Sequence, residues 1–228
     1  MLVNADFSRR AVVASESFEW VRSPQNGVER VMLDRVTGAS GHEKARATSL
    51  VRYARDSHFP RHTHDGGEEI LVLSGCFSED EAHYPAGWYL RNPPGSSHRP
   101  ASREGALIFV KLGQMMPSDQ RSVRIDTYAP DAWKREQGRE VCPLFADEDE
   151  RVMLARLAPG ERVLTDAVKG AELLVLDGEV IAEHTHLLRG GWLRLPAGTH
   201  RDVFAGAGGA MIYLKRGAFR GLPIEVSS

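Results

Sequence analysis

Apolar residues along the chain come in short alternating or continuous runs, and none keeps the 3.6-residue period of an amphipathic helix. Val28 to Val36 (VERVMLDRV) and Ala47 to Ala54 (ATSLVRYA) each alternate well enough for a strand. Phe59 to His64 begins another, with Pro60 at its start, where a strand tolerates proline. Ile70 to Leu73 and Ala106 to Lys111 read as buried strands, and the turn-forming clusters SPQNG, DGG, PAG and PPGSS punctuate the series. Many short strands at intervals of roughly 8 to 12 residues predict an all-β antiparallel sandwich or barrel. Residues 1–27, with Val12, Val13, Phe18 and Trp20, are expected to form an arm with one or two short strands that packs elsewhere, on a second subunit. Residues 37–46 (TGASGHEKAR) read as a loop. The least patterned stretch begins at Gly113, and within it 116–148 are expected as a linker with one strand at 122–127.

The pattern also repeats. AELLVLDG, ending at Gly178, parallels EEILVLSG, ending at Gly75, at an offset of 103 residues. GWLRLPAGTH, ending at His200, parallels GWYLRNPPGSSH, ending at His98, at 102. GAMIYLKRG, ending at Gly217, parallels GALIFVKLG, ending at Gly113, at 104. Three blocks in one order at nearly constant offset imply two copies of one barrel, in residues 1–115 and 149–228. A second ERVML, at Glu150 as at Glu29, has a different offset and reads as coincidence.

Candidate chemistry concentrates in the first copy. His62 and His64, one residue apart on a strand, point to the same side. Asp65, Gly66 and Gly67 then form a turn, and Glu68 stands at the base of the returning strand. If His98 arrives from another hairpin, three imidazoles and a carboxylate converge, a set suited to zinc, ferrous iron, manganese, nickel or copper. The second copy carries Thr165, Ala167 and Ala171 opposite His62, His64 and Glu68, but Glu172 opposite Glu69. Ligands lost together favour Glu68 as the ligand and Glu69 as a structural carboxylate. His200, surviving alone opposite His98, cannot hold a metal, so the second barrel is expected to be metal-free. His184 and His186 follow Gly178 and read as a solvated strand, and His42, His58 and His83 as surface residues. Trp88 and Trp192 occur in both copies and suggest packing. Arg91 and Arg194, also paired, suggest ion pairs with Glu69 and Glu172, although Arg91 or Arg99 could instead receive a substrate carboxylate.

In order and spacing, HxH, Glu68, Gly75, PAG and PGxxH resemble the two cupin motifs, and GGEEILVLSG, YPAGWYLRNPPGSSHRP and IFVKL resemble the ChrR-like cupins in particular. The resemblance implies two tandem cupin barrels, of the double-stranded β-helix or jelly-roll kind. It also implies one divalent metal, zinc or iron first and manganese or nickel next, at positions matching His62, His64, Glu68 and His98. The ChrR-like resemblance implies a cupin that binds zinc and senses an oxidative signal, coupled to an anti-sigma domain that holds a sigma factor. The amino-terminal zinc module of that family, with its His and CxxC, has no counterpart here, so a sigma-factor partner is not expected. Related small cupins cleave carbon–carbon bonds in diketones and hydroxyacetophenones. The function implied is sensory or regulatory, with a small ligand or oxygen species as partner, and the alternative is a metal-dependent dioxygenase.

Composition narrows this little. With 29 basic and 31 acidic residues the 228-residue chain has a formal charge of −2, too even for a nucleic-acid surface. No apolar run suggests a signal peptide or a membrane span, so the cytoplasm is the expected location. Cys76 and Cys142 lack CxxC spacing and are expected to be reduced thiols. No Ser/His/Asp arrangement or phosphate loop is evident, and no catalytic residue is assigned. A homodimer is expected.

Overall fold

The computed structural model describes residues 1–36 and 46–219. The loop expected at 37–46 and His42 therefore lie almost wholly outside the described residues. Strands account for nearly all regular structure there, broken by two 3-10 turns, Ser15–Ser17 and Pro130–Ala132. The chain divides into two compact units. Among the described residues, the first takes 1–5 and 19–128, and the second takes 6–18 and 129–219.

In the first unit the main sheet runs Leu2–Val3, Val28–Val36, Arg46–Tyr53, Ala106–Leu112, Glu68–Glu79, Trp88–Asn92, Val123–Asp126. A separate two-stranded ladder joins His62–His64 to Ser96–His98. Ile70, Val72, Phe77, Leu90, Ile108 and Val110 belong to the core that this unit encloses. In the second unit the order is Lys134–Glu136, Arg139–Ala146, Glu150–Leu157, Val203–Gly217, Ala171–Ala182, Trp192–Leu195, Ala11–Val13. All pairings are antiparallel, and the expected all-β architecture of two tandem barrels is the one observed.

The two copies match in detail. Glu68–Glu79 and Ala171–Ala182 are both 12-residue strands. Each bulges at the same place: Val72 and Ser74 face Ile108 and Leu107 with Leu73 left over, and Val175 and Asp177 face Ile212 and Met211 with Leu176 left over. Gly75 and Gly178, just beyond, both sit at φ 71°. An added Cβ would lie 2.0 Å from the Gly105 carbonyl oxygen in the first copy and 2.3 Å from that of Gly209 in the second. Only glycine fits so close an approach in this backbone region. The extra residue also reverses side-chain parity. Val72 and Phe77, an odd number of residues apart, both face the same core.

Two expectations change. The amino-terminal arm is used within the chain: Leu2–Val3 pairs with Val28–Val36, and Ala11–Val13 pairs with Trp192–Leu195. The stretch 116–148, expected as a linker, is largely structured. It gives Val123–Asp126 to the first unit and Lys134–Glu136 and Arg139–Ala146 to the second.

Candidate metal centre

The short ladder sets the geometry. His62 stands directly opposite His98 and His64 opposite Ser96, so the alternation of the strand turns both imidazoles toward the third. Ring centroids lie 4.7 Å apart for His62 and His64, 4.8 Å for His64 and His98, and 5.2 Å for His62 and His98. The chain then reverses through Asp65 to Gly67, where the Gly67 amide donates to the His64 carbonyl at 3.1 Å. Glu68 enters from the first position of its strand on the inward face, and Glu69, its neighbour, turns the other way.

Within this group the donors are close and their lone pairs are directed. His64 Nε2 is 2.9 Å from His98 Nε2, and Glu68 Oε2 is 3.5 Å from both. Two of the rings are fixed from behind. His62 Nδ1 lies 2.9 Å from the Pro60 carbonyl, and His98 Nδ1 lies 2.7 Å from Glu79 Oε1. A carbonyl and a carboxylate only accept, so both Nδ1 atoms carry hydrogen, which leaves Nε2 as the ring atom able to ligate. His98 Nε2 faces His64 Nε2 at 2.9 Å, a contact that attracts only with a proton or a cation between the two nitrogens. Donor separations near 3 to 3.5 Å are also those of a coordination shell with arms of about 2.1 Å. The residues present therefore fit a divalent metal.

Electrostatics agree. Burial, together with the charges of His98 and His62, depresses His64 to about 3. Burial opposes charge on His98, but Glu79 and Glu68 hold it above its ordinary value. Burial likewise opposes charge on Glu79, yet His98, Arg124 and Asn92 keep its carboxyl below the usual range. Burial pushes Glu68 from 4.5 up to about 7, against the pull of His98 and Asn92. With a folded-state value above the unfolded one, Glu68 contributes stability that is fully present below about 4.5 and is lost as pH rises through 7. A bound cation needs the carboxylate and so reverses that trend. The gain in melting temperature given by added Zn2+ is expected to be small near about pH 5.5 and to grow toward about pH 8, as calorimetry would read.

Sequence reasoning missed the cluster behind His98. Glu79, Asn92 and Arg124 meet there, with Arg124 Nη2 donating to Glu79 Oε2 at 2.8 Å and to Asn92 Oδ1 at 2.6 Å. Glu79 lies an odd number of residues from Glu68 and reads as outward until the bulge is counted. Arg124 lies in the supposed linker. Glu69 and Arg91, by contrast, behave as expected: Arg91 Nη1 donates to Glu69 Oε2 at 3.3 Å, and Asp119 takes Nη2 at 2.8 Å. So occupied, and 1% exposed, Arg91 is no receptor for a substrate carboxylate. Arg99 is exposed.

The second barrel assembles nothing comparable among the described residues. His186 Nδ1 pairs with Glu179 at 2.7 Å, His200 Nε2 meets the Pro196 carbonyl at 2.8 Å, and neither joins a metal-ligating group. At the 103-residue offset, Ala171, Ala182 and Leu195 replace Glu68, Glu79 and Asn92, and all three are buried in the apolar core of that unit. Cys76 and Cys142 are free thiols. Among the described residues no helix is long and apolar enough to cross a membrane.

Comparison with known proteins places this geometry. Residues 8–116 match the family model described as the ChrR cupin-like domain. Over those residues the chain is similar to the ChrR cupin-like domains. No curated protein matches the sequence. Among solved structures, the chain is similar to YlbA from E. coli, of the DUF861 family, at 14% identity and a TM-score of 0.69, over 96% of this chain and 95% of that one. It is similar to a candidate dioxygenase from Nostoc punctiforme at 13% identity and a TM-score of 0.69, over 100% of this chain and 86% of that one. The bacterial pirin YhhW from Escherichia coli, in complex with nickel(II), matches at 12% identity and a TM-score of 0.62, over 91% and 98%. At such identities the likeness establishes the cupin fold across both units.

Proposed function

We propose that the first barrel binds one divalent metal ion through His62, His64, His98 and Glu68, and that the protein uses it to take up a small ligand in a sensory or regulatory role. The observation that carries this reading is the directed convergence of the donors. Three imidazoles meet with ring nitrogens as close as 2.9 Å, and two of the rings, His62 and His98, are tied on their far sides to acceptors, an arrangement suited to holding a cation. The second barrel supports it, since there Thr165, Ala167 and Ala171 stand at the places of His62, His64 and Glu68. His62 lies toward solvent, less buried than His98, so the set is reachable from outside. When bound, a metal of this kind supplies Lewis acidity and open positions for an oxygen-donor ligand.

A second reading, a metal-dependent dioxygenase acting on a small diketone or aromatic ketone, is favoured by the full-length likeness to the Nostoc candidate dioxygenase. Elemental analysis of protein purified without added metal, beside His62→Ala, tests the common part. About one metal per chain, lost in the variant, is the expected result, and no metal in either would overturn the proposal. Zinc, with no oxygen uptake on diketones or aromatic ketones, upholds the sensory reading. Iron, with oxygen uptake that depends on the substrate, replaces it with the dioxygenase.

A further inference from the structure

We propose that Glu79 is a positioning residue for this metal set: clamped by Asn92 and Arg124, it fixes the tautomer and orientation of His98 and ties Glu68 to the same frame. The inference rests on the metal-binding reading above and concerns how this chain holds its ligands in place.

The argument begins with a hydrogen-bond account of Asn92. Arg124 can only donate, so the Asn92 atom that it meets at 2.6 Å must be the carbonyl oxygen. The amide nitrogen then faces two carboxylates, Glu68 Oε2 at 3.1 Å and Glu79 Oε1 at 2.6 Å. Both of its hydrogens are used, and one side chain couples the two acids. Glu79 is filled to match. Its Oε1 accepts from Asn92 and from His98 Nδ1, and its Oε2 accepts from Arg124. Arg124 is itself anchored, by Tyr84 OH at 3.0 Å and by the Val123 carbonyl at 2.8 Å. The chain of contacts thus runs from a strand at the edge of the sheet, through Glu79, to the ring nitrogen opposite the one aimed at the centre.

That Glu79 touches His98 on Nδ1 is what separates positioning from ligation. It lies near enough to Glu68 and His98 to count as a metal-ligating group with them, but the imidazole stands between it and the three converging nitrogens. A carboxylate there holds the hydrogen on Nδ1, leaves the Nε2 lone pair free and limits ring rotation.

The second barrel says what the cluster is not for. There the strand pair Ala171 and Leu195 keeps the register of Glu68 and Asn92, and Ala182 stands in place of Glu79. All three are buried among apolar neighbours, so this framework needs no polar network to close its barrel. Burying Glu68, Glu79 and Asn92 in the first copy is costly by comparison, and the donor set is what it serves.

The test uses the full chain, freed of metal, and Co2+ as the probe. Affinity is read by chelator competition and coordination by the visible Co2+ absorption. Glu79→Gln has the shape of the native side chain but only one acceptor oxygen, so it cannot satisfy both His98 and Arg124. It is expected to lose about 10- to 100-fold in Co2+ affinity with an altered absorption band. Arg124→Met, which leaves the carboxylate but frees it to rotate, is expected to lose less affinity with the same spectral change. Ser78→Ala, on the opposite face of the same strand, is expected to match the parent. A Glu79→Gln protein with parental affinity and spectrum overturns the inference. If that variant does not fold, a parental result for Arg124→Met does so instead. A parent that takes up no Co2+ removes the metal-binding reading and this inference with it, an outcome distinct from a parent that binds and variants that do not differ.

Discussion

Glu68→Ala is expected to abolish most metal uptake while the metal-free protein melts no lower than its parent, and Glu69→Ala is expected to do the reverse. The residues are neighbours on one strand with opposite faces and opposite environments. Glu68 looks inward at three imidazoles, and its burial holds it up to about 7, so the metal-free barrel gains nothing from its charge at neutral pH. Ala171 already occupies the matching place in the second copy and is buried in its core. Glu69 looks the other way, across from Arg91 and Lys111, and all three are buried. The second copy keeps this trio as Glu172, Arg194 and Lys215, again buried and in register. Removing one member of a buried ion pair costs about 3–5 kcal/mol, and because Asp119 still holds Arg91 the lower end applies. Elemental analysis and thermal unfolding of the metal-free variants measure both. Equal metal loss in the two proteins would show that the face assignment is wrong.

Gly75→Ala is expected to be among the most damaging single-methyl changes in the first unit. Its Cβ would sit 2.0 Å from a backbone oxygen at φ 71°, so the bulge must straighten or the neighbouring strand must move. Left-handed strain in a non-glycine residue costs about 1–3 kcal/mol, and the backbone clash adds to it. Gly178→Ala meets the same obstruction, at 2.3 Å from Gly209, and should lose similar stability. The two should part on metal binding. Straightening the bulge beside Gly75 returns Glu79 to the outward face and takes His98 with it, whereas nothing beyond Gly178 reaches the donor set. Chelator competition beside calorimetry separates these results. Equal metal affinity in the two variants would refute the role given to the bulge.

These contrasts also mark how far the sequence could be read. The ligand candidates depend on local rules, two histidines on one strand face and a glycine turn, and the repeat discriminates Glu68 from Glu69 because it supplies an internal control. Strand period and turn residues are enough to give the all-β class. Glu79 was hidden because the period of two was counted through a bulge that only strand pairing reveals. Arg124 was hidden because its strand, though expected at 122–127, does not announce in its own sequence that it pairs beside Trp88–Asn92. The arm was misassigned because a strand's own sequence does not say which edge it joins; Ala11–Val13 fits against Trp192–Leu195 by register alone.

That pairing bears on the order in which the molecule can assemble on the ribosome. Ala11–Val13 emerges before the rest of its unit, but its partner strand is made near the end of synthesis. Arg10 reaches Asp202 across 192 residues in the same way. Loop-closure entropy rises only slowly with length, so the finished contact is affordable, but it cannot form early. During translation Val12 and Val13 must stay unpaired while residues 19–128 fold between them and their destination. The sheet of the second unit is thus completed by a strand made well before the rest of it.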